Sequence, residues 1–132
     1  MADATEAALE AYFAAYATTL GEMDAPATAA LWGQPAMMVT DDFIGTVADR
    51  AELARGLASA QPEYRARGLA RATHTIVEHA ALTERLLRAR VRWHFWRADG
   101  SHIADADFEY LLRRDDDGLH AHVATLLGED VG

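Results

Sequence analysis

Two histidines spaced by one residue, His120 and His122, fall on one face of any strand that carries them. That spacing can place two ligands on one metal. No acid or thiolate clearly completes a set, so they read as polar sheet positions and no metal or other cofactor is expected. Acid–base chemistry has better candidates. His74, in RATHTIV, opens a long strand, and Asp41 and Asp42 follow a short one. A dehydratase or cyclase needs a His–Asp pair or a similar proton-moving set in its pocket. Asp41 reads as a turn residue, or as an inward-pointing general base if its strand carries a bulge. There is no glycine-rich phosphate loop, no nucleophile elbow and no HExxH helix.

The elements that must position these groups change character midway. Residues 4 to about 20 predict a helix, with Leu9, Phe13, Tyr16 and Leu20 on one face and Tyr12 beside it. Gly21 is a natural stop. Asp24 and Pro26 open a second, shorter helix running to about Trp32, where Gly33 and Pro35 break it. Residues 36–40 predict a short strand, and residues 43–47 continue as another. Asp49 caps a third helix through Leu53 and Leu57 to about Ser59, and Pro62 punctuates it.

From residue 70 the apolar period falls to two, over 70–81, 85–97, 102–114 and 119–127. In the clearest strand Leu87, Ala89, Val91, Trp93 and Phe95 oppose Arg88, Arg90, Arg92, His94 and Trp96. Asp99-Gly100 and Asp117-Gly118 are hairpin turns. Helices first and an antiparallel meander after them indicate an α+β fold, with about three helices on one face of the sheet. The tail over 128–132 is expected to fray.

At 132 residues the chain fits one domain, and 51% apolar residues agree with a packed core. The charge of −9 argues against nucleic acid as a partner. No run is long enough to span a membrane, and the start lacks the basic region of a secretory signal. With no cysteine, disulfides and thiolate metal sites are excluded, and a cytoplasmic location is the default expectation.

The expected inward set is rich in aromatic and sulfur side chains: Phe13, Tyr16, Trp32, Met38, Trp93, Phe108 and Tyr110. The hydroxyls of Tyr16, Thr40 and Tyr110 would be its polar handles. Such a lining describes a site for a small apolar or aromatic metabolite, although periodicity alone does not tell a lined pocket from a filled core.

The order of elements, with AYATTLGEMD, ATAALWGQPAMMV, the arginine-rich strand and the closing YLLRRDDDGLHAHVATL, resembles the nuclear transport factor 2-like superfamily of cystatin-like cones. That superfamily includes SnoaL-like cyclases, ketosteroid isomerases and many small bacterial proteins of unknown function. The resemblance implies a strongly curved sheet closed by helices around an interior pocket. It also implies a homodimer through the convex sheet face, with Arg90, Arg92, His94 and Trp96 in the contact. By the same resemblance Tyr16 falls where the isomerases carry a helix tyrosine. Their aspartate base falls on Thr40, one residue before Asp41, and a slip of one residue turns a strand side chain to the other face. Their later acid has no counterpart, because Asp105, Asp107 and Glu109 lie opposite the apolar face. Three readings therefore stand: a small-molecule-binding cone, a SnoaL-like acid–base enzyme using Tyr16, Asp41 and His74, and a non-catalytic dimeric interaction module.

Overall fold

The computed structural model describes residues 4–131. Helix α1 spans Ala4–Gly21 and buries Leu9, Tyr12, Phe13, Tyr16 and Ala17, spaced by three and four. Tyr12 lies inside this stripe rather than beside it. Its hydroxyl donates to the Leu31 carbonyl at 2.7 Å and accepts the Ala121 N–H at 3.2 Å. The helix stops at Gly21 as expected, but the left-handed residue that turns the chain is Met23, with φ of 52°. Gly21 instead permits close approach to the sheet, since a Cβ there would lie 3.1 Å from the Ala72 nitrogen.

Helix α2, Ala25–Ala30, carries the expected Asp24 cap, whose side chain accepts the Ala27 N–H. It stops before Trp32, which opens strand β1, Trp32–Val39. Gly33 and Pro35 therefore lie inside a strand. Strand β2, Ile44–Val47, forms a hairpin with β1. Helix α3, Arg50–Ala66, is capped by Asp49 and runs through Pro62 to a left-handed Gly68. The expected end near Ser59 is corrected: Pro62 and the residue four before it, Ala58, are both exposed, where water can replace the lost backbone bond.

Strands β3 (Leu69–Ala81), β4 (Leu86–Arg97), β5 (His102–Asp115) and β6 (Gly118–Val131) complete a six-stranded sheet in the order β2-β1-β6-β5-β4-β3. Among the described residues only the β1–β6 pairing is parallel. β6 stays paired where fraying was expected, with Asp130 opposite Asp105. Gly132 lies outside the described residues. Register shifts interrupt β3–β4, β4–β5 and β5–β6, and such bulges bend strands and increase their twist.

The core forms where α1 meets the inner face of β4 and β5. Leu87, Ala89, Val91 and Trp93 are buried there with Ala106, Tyr110 and Leu112. The other face of these strands carries ion pairs. The result is the expected α+β arrangement, three helices on a mostly antiparallel sheet that is bent but not closed.

Candidate functional site

A cavity of about 530 Å³ lies between the inner face of the sheet and helix α3. Its deep end is built by α1, β1, β4 and β5, which bring Tyr16, Trp32, Trp93 and Tyr110 together. The Trp32 indole N–H donates to the Tyr16 hydroxyl at 2.9 Å, and the Trp93 indole N–H donates to the Tyr110 hydroxyl at 2.8 Å. Both phenols are almost wholly buried. Burial raises the Tyr16 pKa to about 12, even after the hydrogen bonds with Trp32 and Tyr110 offset part of the rise. Burial, reinforced by Tyr16, pushes Tyr110 well above its ordinary value. Near neutral pH both are uncharged. Tyr16 therefore has a proton to give and no tendency to take one.

The wall continues along the sheet through Met38, Phe95, Phe108 and Ala124. The roof is one stripe of α3: Leu53, Gly56, Leu57, Ala60, Gln61 and Tyr64. No residue of α3 is fully buried: Leu53 and Tyr64 touch the edge of the core, and the rest of the stripe faces the cavity. The Gln61 amide nitrogen donates to the Met23 carbonyl at 2.6 Å and ties α3 to the end of α1. The exposed lining residues Phe43, Thr46, Gly56 and Ala60 place the mouth between the β1–β2 hairpin and α3. Among the described residues that line the cavity, none is Asp, Glu, His, Lys or Arg.

Six of the eight expected pocket residues line this space: Tyr16, Trp32, Met38, Trp93, Phe108 and Tyr110. Phe13 does not. It is fully buried behind the lining, its ring 5.2 Å from that of Tyr110 and 5.9 Å from that of Trp93. Thr40 does not either. It caps the β1–β2 turn, where its N–H donates to the Phe43 carbonyl at 2.8 Å.

The expected acid–base set is not assembled. Asp41 is exposed in the turn, past the end of β1. The register shift on β1 lies between Trp32 and Met37, too early in the strand to turn Asp41 inward. His74, on β3, is held against α1, its Nε2 3.0 Å from a Glu10 carboxylate oxygen. Sequence reading missed the α3 stripe. Its signal is the run of three- and four-residue spacings from Leu53 to Tyr64, which the proline at 62 obscured.

On the outer face the arginine-rich stripe is largely neutralised within the chain. Arg92 forms two hydrogen bonds to Asp107, at 2.8 and 3.0 Å. His94 faces Asp105 through Nδ1 at 2.8 Å and Thr75 through Nε2 at 2.9 Å. The Trp96 indole donates to Thr73 at 2.9 Å, and the Arg71 guanidinium lies over its ring. The Arg90 Nε is shielded from water and has no hydrogen-bond partner. His120 and His122 both turn to Asp115, at 2.9 and 3.3 Å. The His122 ring also covers Gly33, where a Cβ would overlap the ring atoms.

Comparison with known proteins places this architecture. A family model described as NTF2-like protein (DUF6841) matches residues 2–128. The chain belongs to this NTF2-like family. Solved structures similar to this NTF2-like chain share its fold at low identity. A domain of unknown function with a cystatin-like fold from Nostoc punctiforme is 16% identical, covering 96% of this chain and 78% of that one, with a TM-score of 0.74. A ketosteroid isomerase-like protein from Erwinia carotovora atroseptica is 18% identical, covering 96% and 99%, with a TM-score of 0.69. A protein from Catenulispora acidiphila, in complex with S-DNPA, is 17% identical, covering 93% of each chain, with a TM-score of 0.69. None of the curated proteins matches the NTF2-like chain significantly. No helix among the described residues is long and apolar enough to cross a membrane.

Proposed function

We propose that this NTF2-like protein binds a neutral, largely apolar small molecule that carries a hydrogen-bond acceptor. The observation that carries the reading is a cavity of about 530 Å³ whose described lining has no charged side chain and whose deep end holds the Tyr16 hydroxyl. Cavities of a few hundred cubic ångströms, mostly apolar with a few placed polar groups, are the usual form of small-molecule sites. A charged ligand would lose its hydration there with no opposite charge in the lining to replace it. The complex of the Catenulispora acidiphila protein with S-DNPA lends support from a chain of the same fold.

The alternatives have less to stand on. Acid–base catalysis of the SnoaL or isomerase kind needs a proton carrier, and the described lining offers neither carboxylate nor imidazole. A module with a filled cone would have no such cavity. As part of the same proposal the protein is a cytoplasmic, bacterial homodimer that pairs through the outer face at Arg90, Arg92, His94 and Trp96. The half-buried Trp96 on the outer face supports that pairing, since large aromatic side chains are enriched at interfaces between subunits.

The test is titration with prodan, a neutral naphthalene ketone whose emission moves to the blue in apolar surroundings. Saturable binding should shift that emission and quench tryptophan fluorescence, because Trp32 and Trp93 line the cavity. No shift and no quenching with prodan would remove the cavity as a ligand site. Equal affinity for an anionic naphthalenesulfonate would overturn the preference for neutral ligands.

A further inference from the structure

Glycine inside a helix is disfavoured relative to alanine, so a helix-interior glycine calls for a reason. Gly56 sits in the interior of α3, well away from either end. The other described glycines, Gly128 aside, have a visible reason. Gly21, Gly33 and Gly45 lie against the Ala72 backbone, the His122 ring and the Phe43 ring, and Gly68, Gly100 and Gly118 adopt positive φ. Beyond its chain neighbours and its own helix backbone, no atom lies within 4 Å of where a Cβ on residue 56 would stand, and its φ is not positive. Gly128 also has open space around it, but it does not line the cavity and Gly56 does.

The stripe around Gly56 points the same way. Leu53, Leu57, Ala60 and Tyr64 share its face; Leu53 and Tyr64 reach the edge of the core and are half-buried, and none of the four is fully covered by protein. An apolar helix face is ordinarily covered by core. Here it faces the cavity, and the smallest residues of the stripe, Gly56 and Ala60, stand at the mouth. A side chain at position 56 would begin in open space at the cavity mouth.

We propose that Gly56 is a specificity-determining position: its missing side chain sets how far the body of the ligand extends along α3 from the Tyr16 end. The bound molecule then completes the apolar cover that the core gives α3 only at Leu53 and Tyr64. The ligand class is accordingly an elongated neutral molecule with an acceptor group and an apolar tail. This inference rests on the cavity being a ligand site.

The experiment uses dimethylaminonaphthalene ketones with acetyl, propionyl and hexanoyl chains. Their affinities are measured on the full chain and on Gly56→Ala and Gly56→Leu. The longest ketone should bind Gly56→Leu about tenfold more weakly than the parent, in line with the discrimination an apolar pocket achieves over extra methylenes. The acetyl ketone should be nearly unaffected, and Gly56→Ala should be intermediate. Gly56→Ala should also melt at a higher temperature, because alanine favours the helix, which verifies folding independently of ligand. If the parent binds the series and both variants follow the same dependence on chain length, the assignment of Gly56 fails and the ligand site survives. If both variants weaken every ketone equally, Gly56 is not a length filter. If the parent binds none of the ketones, the ligand site itself fails, and this inference with it.

Discussion

The substitution Tyr16→Phe separates the two jobs of the Tyr16 hydroxyl. Inside the protein, the oxygen accepts the Trp32 indole N–H at 2.9 Å, and both residues are almost wholly buried, with Trp32 2% exposed. Removing it leaves that N–H without its acceptor and takes away the hydrogen bond with Tyr110, whose own hydroxyl still receives the Trp93 indole N–H. An orphaned buried donor costs about 1–3 kcal/mol. The cavity reaches solvent beside Gly56 and Phe43, so water can take up part of the lost bond and the cost falls near about 1 kcal/mol. For a chain of this size that lowers the melting temperature by about 3–5 °C.

Toward ligand, the lost donor removes one net hydrogen bond, about 1 kcal/mol, or roughly a fivefold weaker affinity for prodan. Dimethylaminonaphthalene without the acyl group has no carbonyl to lose and should bind the variant and the parent alike. The assay is a pair of fluorescence titrations with these two probes, alongside thermal melts of both proteins. Equal weakening of both probes would mean that Tyr16→Phe disturbs packing and that the hydroxyl does not meet the carbonyl. No change in either would place prodan elsewhere.

Two further outcomes follow from the outer face and from the end of the sheet. Trp96→Glu places a charge in the middle of the proposed contact and should give a monomer in sedimentation; a dimer that persists would move the interface elsewhere. Asp115 is the other case. Burial by itself raises its pKa, but hydrogen bonds from Arg113, His120 and His122 outweigh burial and hold it at about 2. A carboxylate lowered in the folded state adds stability above its unfolded pKa of 3.8, and that stability is lost as the pH falls through about 2. The full depression is worth roughly 2 kcal/mol, and solvent screening around the half-exposed Arg113 reduces it to about 1 kcal/mol. Asp115→Asn should therefore lose about 1 kcal/mol in urea melts at neutral pH. That deficit should close as the pH approaches 2, and a deficit that persists there would refute the ion-pair account.

The second half of the chain was legible because strand β4 alternates without interruption, and its faces fall as the alternation places them. The hairpin turn at Asp99-Gly100 and a second, one residue earlier than expected, at Asp116-Asp117 with Gly118 already paired to Asp115, then fixed the neighbours. The caps Asp24 and Asp49 were legible for the same kind of reason, since a short side-chain acceptor before a helix has few other uses. What failed was local. Trp32 sits at the junction of α2 and β1, where one residue decides between helix and strand. Pro62 looks like a stop, yet an exposed face tolerates it. The aromatic lining was readable because large apolar residues on an inner face meet either each other or a cavity. The roof was not, because α3 carries its pattern on residues as small as Gly56 and Ala60. The inward or outward facing of Asp41 depended on where β1 ends, which the pairings with β2 and β6 show.

The ring of His122 occupies the place where a side chain on residue 33 would begin. Its two nitrogens meanwhile face the Pro35 carbonyl at 3.2 Å and Asp115 at 3.3 Å, so the ring has little freedom to step aside. For a lineage of such proteins this fixes an order of events. Residue 33 can gain a side chain only after residue 122 has shrunk, whereas 122 can shrink first at the lesser cost of its hydrogen bonds. The two positions form a one-way gate, and their histories should be read together.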